Sequence, residues 1–380
     1  MRIKEIWKSL FKMFGLAFFA LVSFVAILFL FGLFFAGAGA GMGAMMGQRN
    51  LSRLSVPDRL DYEHFLGDRD SDNLLLTIPV DGIILGSPSL EFGPSMVFSG
   101  LTYGYPIKKT LLEAAEDERI QGVLLHLQTP GGTIYGARAI FDGVKAYRER
   151  TGRPVFAFVE GLSASGGVMA MVAADRIYAD RGSRVGSIGV IAGMLTYYDE
   201  PVATEGGLFG GGIATRGGIE YTIVTAGRGK DLGNPFRRAT EEELAVLQTG
   251  ADREYDDFVS LVAAHRPVGE SAIRDILGAM IFGNEKAESF GLSDGTLNRD
   301  ETLERLAEQA GVGDDYQVVI QSRGRRKFWR QLLSVGADPE SALRASRRDL
   351  CRAVTRLPLA YHGDLSVLCE ACRKDGIDWP

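Results

Sequence analysis

The sequence predicts an α/β domain built on a largely parallel sheet and carried behind one N-terminal membrane-spanning helix. Three observations predict it. Residues 74–80, 122–128 and 155–159 are apolar at consecutive rather than alternate positions. Strands of that kind are buried on both faces, as in a parallel sheet covered by helices on two sides. Helix-period segments separate these runs, so the connections read as right-handed β–α–β crossovers. Finally, residues 13–36 are uncharged and strongly apolar, and about 20 such residues at a 1.5 Å rise cross a hydrocarbon core.

Taken in order, Arg2, Lys4, Lys8 and Lys12 precede the span with only Glu5 against them. That bias puts residues 1–12 in the cytoplasm and the rest of the chain on the extracytoplasmic side of the cell membrane. A cleaved signal peptide is the competing reading, with Ala38-Gly-Ala40 as its cleavage site, but its apolar region would run only about 7–15 residues. A buried core helix would show a polar stripe, and none is present. Residues 37–73 read as a linker: a glycine-rich exit over 37–47, then polar sequence that forms a linker or a lead-in helix.

The main domain is expected over residues 74–319. Its first strand ends at the turn Asp81-Gly82, and a helix follows over 106–119 with Leu111, Leu112 and Ala115 inward. The second strand ends at the turn Thr129-Pro-Gly-Gly132, and a helix over 134–150 turns Ile140, Val144 and Tyr147 inward. The third strand leads into Gly161-Leu-Ser-Ala-Ser165-Gly-Gly167 and a short apolar helix over 168–174. Residues 177–179 and 187–191 read as short strands, and 205–218 as a glycine-rich loop. A phosphate cradle there would need a lysine–serine pair that this loop lacks. Thr240-Glu-Glu-Glu243 is a capping signature, opening a helix with Leu244, Leu247, Tyr255, Phe258 and Leu261 on its apolar face.

Residues 320–380 form a basic, cysteine-containing extension. Its basic clusters, Arg323, Arg325, Arg326, Lys327 and Arg330 and then Arg344, Arg347 and Arg348, read as a solvated surface or as a contact with anionic lipid or a neighbouring subunit. Cys351, Cys369 and Cys372 are the only cysteines, so the body has no disulfide framework. With His362 they number four possible zinc ligands, but the spacing matches no established zinc pattern, and neither metal nor cofactor is expected. A net charge of −6 argues against nucleic acid as a partner.

Acyl transfer from a peptide needs a nucleophile, a base and donors aimed at the developing oxyanion. Ser165 stands on a tight strand-to-helix turn with two glycines behind it, leaving its hydroxyl approachable. The N–H groups opening the following helix, and the bare glycines of Thr129-Pro-Gly-Gly132, supply candidate oxyanion donors along one sheet edge. Ser163 is a rival nucleophile. None of the four histidines is an obvious base, and His126 reads as a core residue. Lys230, set among glycines in Gly227-Arg-Gly-Lys230-Asp-Leu-Gly, is the alternative. A lysine accepts a proton only when neutral; an unperturbed one has a pKa of about 10.4, which an apolar site can lower by about 3–5 units.

Four pieces occur in order: Thr129-Pro-Gly-Gly132; Ser163-Ala-Ser-Gly-Gly167 with Ala173-Ala-Asp175; Val185-Gly-Ser-Ile-Gly-Val-Ile191; and Gly229-Lys-Asp-Leu-Gly-Asn-Pro-Phe236 before Thr240. This series resembles the signal peptide peptidase A (protease IV) family of membrane-bound serine–lysine peptidases, over roughly residues 74–313. The resemblance implies a Clp-protease/crotonase-like fold, Ser165 as nucleophile, Lys230 as base, and an oxyanion hole of backbone N–H groups at Gly131, Gly132 and Gly166. It further implies peptide substrates such as signal-peptide remnants and other hydrophobic peptides, a bilayer anchor and a homo-oligomeric ring, since one such domain is the family's short form. A crotonase-type acyl-CoA enzyme or a non-catalytic membrane scaffold of the same fold are the alternatives. Val168-Met169 stands where the family usually has an aromatic pair, and the extension after residue 320 matches nothing in it.

Overall fold

The computed structural model describes residues 62–88, 100–193, 195, 197 and 223–321, together with the backbone of 359–361. All lie in one compact unit that begins at Leu60. The expected cytoplasmic segment, membrane span, glycine-rich exit and glycine loop fall outside the described residues. So do the three cysteines and the arginine clusters. Among the described residues no helix is long and apolar enough to cross a membrane.

The fold is α/β with a mostly parallel sheet. The strands are β1 (Tyr62–Gly67), β2 (Leu74–Leu85), β3 (Leu101–Tyr103), β4 (Ile120–Thr133), β5 (Val155–Ala164), β6 (Arg176–Ala179), β7 (Arg184–Gly186), β8 (Ile281–Gly283), β9 (Gly295–Thr296), β10 (Gln317–Gln321) and β11 (Leu359–Tyr361). The helices of six or more residues are α1 (Gly104–Ala114), α2 (Ile134–Thr151), α3 (Gly166–Met171), α4 (Glu241–His265), α5 (Asn284–Ser289) and α6 (Arg299–Ala310). The central path runs β1-β10-β2-β4-β5-β6-β9, parallel throughout except for β1 against β10.

Consecutive apolar residues are buried on both sheet faces, as their pattern requires. Leu76, Ile78, Leu125 and Ala157 face the layer of α2, α3 and the second half of α4. Their neighbours Leu75, Leu124, Phe156 and Phe158 face Leu303, Leu306 and Ala307 of α6. Each fully buried side chain of this kind contributes about 1.5–3 kcal/mol. Local signals set the helix ends. α2 stops where Gly152 takes the left-handed conformation (φ 68°) and donates to the Arg148 carbonyl. Capping boxes start α4 at Thr240 with Glu243 and α6 at Asn298 with Glu301.

Three differences from the sequence reading matter. Residues 62–67 form a strand on the sheet edge, not a linker or lead-in helix. Residues 187–190 are irregular and Ile191 makes only an isolated β-bridge; the strand in that region is β7, three residues earlier. Asp81-Gly82 and Thr129-Pro-Gly-Gly132 are not turns: β2 and β4 run on through them. The pairing register shifts at both places, between Asp81 and Ile83 and between Leu127 and Thr129. Such bulges need backbone that glycine adopts easily. Gly82 has φ 67°, and a Cβ there would lie 2.1 Å from the Gly100 carbonyl oxygen. Past the bulges the strands fork: β2 gains β3, β5 gains β7, and β4 gains the antiparallel β11.

Candidate active site

The fork of β4 and β5 builds the site. Thr129 of β4 is in register with Ser163 of β5, so the glycine segment and the Ser165 turn are neighbours along one sheet edge. Ser165 lies between β5 and α3 with φ 54° and ψ −112°, a strained conformation for a non-glycine residue. It is fully buried; its N–H donates to Gly186 (2.9 Å) and its hydroxyl to the Gly189 carbonyl (3.2 Å). Ser163, the rival, is also buried, but its hydroxyl points to the Met171 sulfur at 3.4 Å. That direction leads into the core beneath α3, so Ser163 is poorly placed to attack a peptide.

The predicted oxyanion donors are in unequal states. Gly166 and Gly167 open α3, so their N–H groups have no partner within the helix. No acceptor among the described residues takes them. With only six residues, α3 acts through these local donors rather than through a long dipole. The Gly131 N–H is already engaged, donating to Thr129 Oγ1 at 3.0 Å. Gly132 lies between β2, where it pairs with Ile84, and β11, where it pairs with Ala360.

Sequence reasoning missed Thr129 as a side chain. It is completely buried, and its hydroxyl donates to the Gly82 carbonyl (2.5 Å) while accepting from Gly131. One hydroxyl therefore ties the bulges of β2 and β4 together beside the serine turn. Only its place before Pro-Gly-Gly hinted at this. Among the described residues Ser187 is the other non-glycine residue with positive φ (58°), and its N–H donates to the Met280 carbonyl at 2.7 Å.

Lys230 is exposed on a turn, and among the described residues its ammonium makes no hydrogen bond or ion pair. The structure therefore does not join it to Ser165 within one chain. The turn itself is well held. Arg237 grips Asp231 at 2.7 and 2.9 Å and Glu243 at 2.7 and 2.9 Å, fastening the Lys230 segment to the capping box of α4. The Arg237 hydrogen bonds lower both carboxyls to about 2, from ordinary values of 3.8 for Asp231 and 4.5 for Glu243. Carboxyls depressed on folding stabilise the folded turn above their unfolded values and lose that contribution as protonation sets in. We therefore expect the amide protection factors across residues 228–240, taken relative to the intrinsic exchange rate at each pH, to fall as pH drops from about 4.5 towards 2. High salt should blunt the effect because these groups are partly open to water.

His126 Nε2 sits 2.6 Å from a Glu160 carboxylate oxygen on the α6 side of the sheet, across from the serine turn's helix layer. Among the described residues no group of three or more His, Cys, Asp or Glu is placed to hold a metal ion.

A parallel α/β sheet with a strained serine at the end of one strand, followed by a helix whose first two N–H groups meet no acceptor among the described residues, has the geometry of a nucleophile elbow. Residues 147–313, a stretch containing both Ser165 and Lys230, match peptidase family S49. The chain is 34% identical over 199 residues to a provisionally named protease of Methanocaldococcus jannaschii, covering 52% of this chain and 59% of that protein. It is 27% identical over 253 residues to a provisionally named signal peptide peptidase SppA of Enterococcus faecium, covering 66% of this chain and 68% of that one. The chain thus spans about three-fifths to two-thirds of the length of these relatives. A solved structure of a ClpP1 mutant from Listeria monocytogenes aligns over 59% of this chain and 92% of that chain, at 14% identity and a TM-score of 0.36. That likeness is too low to carry weight, and the fold assignment rests on the strand order above.

Proposed function

We propose that the chain is a membrane-anchored serine endopeptidase of Clp-protease/crotonase type, in which Ser165 is the nucleophile and Lys230 its base. One observation carries the reading: a buried serine held at positive φ at a strand end, beside two N–H groups that no acceptor among the described residues takes. The match of residues 147–313 to peptidase family S49 supports it.

In the reaction, Ser165 Oγ exchanges its hydrogen bond to Gly189 for one to neutral Lys230 and passes its proton to that amine while attacking the scissile carbonyl. The oxyanion accepts from Gly166 N–H, joined by Gly132 when a substrate strand occupies the β4 edge. Protonated Lys230 then gives its proton to the leaving amine, and water hydrolyses the acyl-enzyme by the same route in reverse.

Because Lys230 is exposed in the single chain, the reading places it against the Ser165 opening of a neighbouring subunit in a homo-oligomeric ring. The exposed Leu244 and Val246 (48% and 67%) on the first half of α4, next to the Lys230 turn, support such a contact. The proposed substrates are hydrophobic peptides such as signal-peptide remnants. The proposed site of action is the extracytoplasmic face of the cell membrane, with residues 13–36 as anchor.

The detergent-solubilised protein should cleave apolar peptides, and Ser165→Ala should lower kcat/KM by about 10⁴-fold or more. Equal cleavage by Ser165→Ala would remove the reading. Protease added outside spheroplasts should digest the main domain, and full protection there would reverse the proposed orientation.

A further inference from the structure

The C-terminal extension contributes one element to the described structure, and that element lies at the candidate active site. Leu359, Ala360 and Tyr361 pair antiparallel with Thr133, Gly132 and Gly131. A strand has two hydrogen-bonding edges, and at Gly131 and Gly132 one of them is taken by Ile83 and Ile84 of β2. β11 therefore lies on the other edge, which β5 occupies as far as the Thr129–Ser163 pair and then leaves to form the Ser165 turn. β11 also lies against α3, the helix that opens directly after Ser165.

An edge vacated beside a nucleophile is where an extended peptide adds as an extra strand, main chain to main chain. Here the chain's own segment fills it. That segment reads Leu357-Pro-Leu-Ala-Tyr361, uncharged and apolar between Arg356 and His362. It has the chemical character of the peptides proposed as substrates, although it comes from a region outside the family match.

We propose that residues 359–361 act as a built-in pseudosubstrate strand, which occupies the peptide-binding edge of β4 and must be displaced before a substrate can bind. The inhibitory part of this inference rests on the peptidase reading, whereas the docking part does not. Competition of this kind raises KM and leaves kcat unchanged, because the tail and the substrate claim the same edge in the ground state.

The test uses the full-length, detergent-solubilised chain and the variant Ala360→Pro/Tyr361→Pro. Successive residues of a strand point their N–H groups to opposite sides, so one of the two prolines removes a donor facing β4. Ala360→Val, which keeps every N–H, serves as control. Hydrogen exchange over Gly131–Thr133 should be at least about tenfold faster in the double-proline variant than in wild type or the control. The same difference should appear in a Ser165→Ala background, where no catalysis occurs. With a short apolar peptide as substrate, the double-proline variant should show a several-fold lower KM, and a synthetic peptide of residues 355–365 should raise it again. Identical exchange in all forms would overturn the docking. Faster exchange with unchanged KM in an active enzyme would overturn the inhibition. Faster exchange with no cleavage by any form would sink the peptidase reading, and the inhibition with it, while the docking stands.

Discussion

Lys230→Ala should lower kcat by about 10³–10⁴-fold with little change in KM, because a general base acts in the transition state and not in ground-state binding. Lys230→Arg should fail equally. A guanidinium keeps the charge and reach of the side chain but does not give up its proton, so only a role as base predicts that both substitutions are inactive. Since Lys230 is exposed on its own chain while Ser165 is buried, mixing subunits offers a sharper test. Reassembled mixtures of inactive Ser165→Ala and inactive Lys230→Ala should regain activity, because some interfaces then join an intact Ser165 to an intact Lys230. Mixtures that stay inactive while forming mixed assemblies would place both residues of the dyad on one chain.

The largest effect on stability is expected at Arg266, which lies just past the end of α4 with only 5% of its side chain exposed. Its guanidinium donates to the Gly291 carbonyl (2.8 Å) and in a fork to both Asp294 oxygens (3.0 and 3.1 Å). Asp294 in turn accepts from Ile177 N–H at 2.7 Å, so one ion pair fastens α4, the loop after α5 and strand β6. Arg266→Ala leaves the Asp294 carboxylate with only the long, exposed Arg176 contact (3.9 Å) as counter-charge, and breaking a buried pair costs about 3–5 kcal/mol. Asp294 is 20% exposed, so the lower end applies. Arg266→Lys should recover only part of the loss, because an ammonium cannot make the fork. Urea unfolding should show a lower midpoint with an unchanged slope. A loss below about 0.5 kcal/mol would mean that water already serves Asp294.

Much of this architecture was legible because its signals are local. The two-sided apolar runs of β2, β4 and β5, the periodic face of α2 and the Thr240–Glu243 capping box each follow from neighbouring residues. What was missed depends on distant ones. β1 reads as polar linker because Tyr62–Gly67 is mostly exposed, and its strand character comes from pairing with β10, at the other end of the described domain. Thr129-Pro-Gly-Gly132 carries every sign of a turn, yet β2 on one side and β11 on the other hold it extended. The serine turn was readable in the sequence. The engagement of Gly131 by Thr129 was not, because a side chain returning to its own bulge leaves no mark on composition or period. The proposed pairing of Ser165 with Lys230 leaves no local mark either, since on that reading it is made between subunits.

The most direct measurement is covalent labelling of the wild-type protein with a fluorophosphonate, followed by peptide mapping of the adduct. The account predicts a single phosphonylated residue, Ser165, with labelling lost in Ser165→Ala and strongly slowed in Lys230→Ala. An adduct on Ser163 or Ser187, or labelling undiminished in Ser165→Ala, would contradict it.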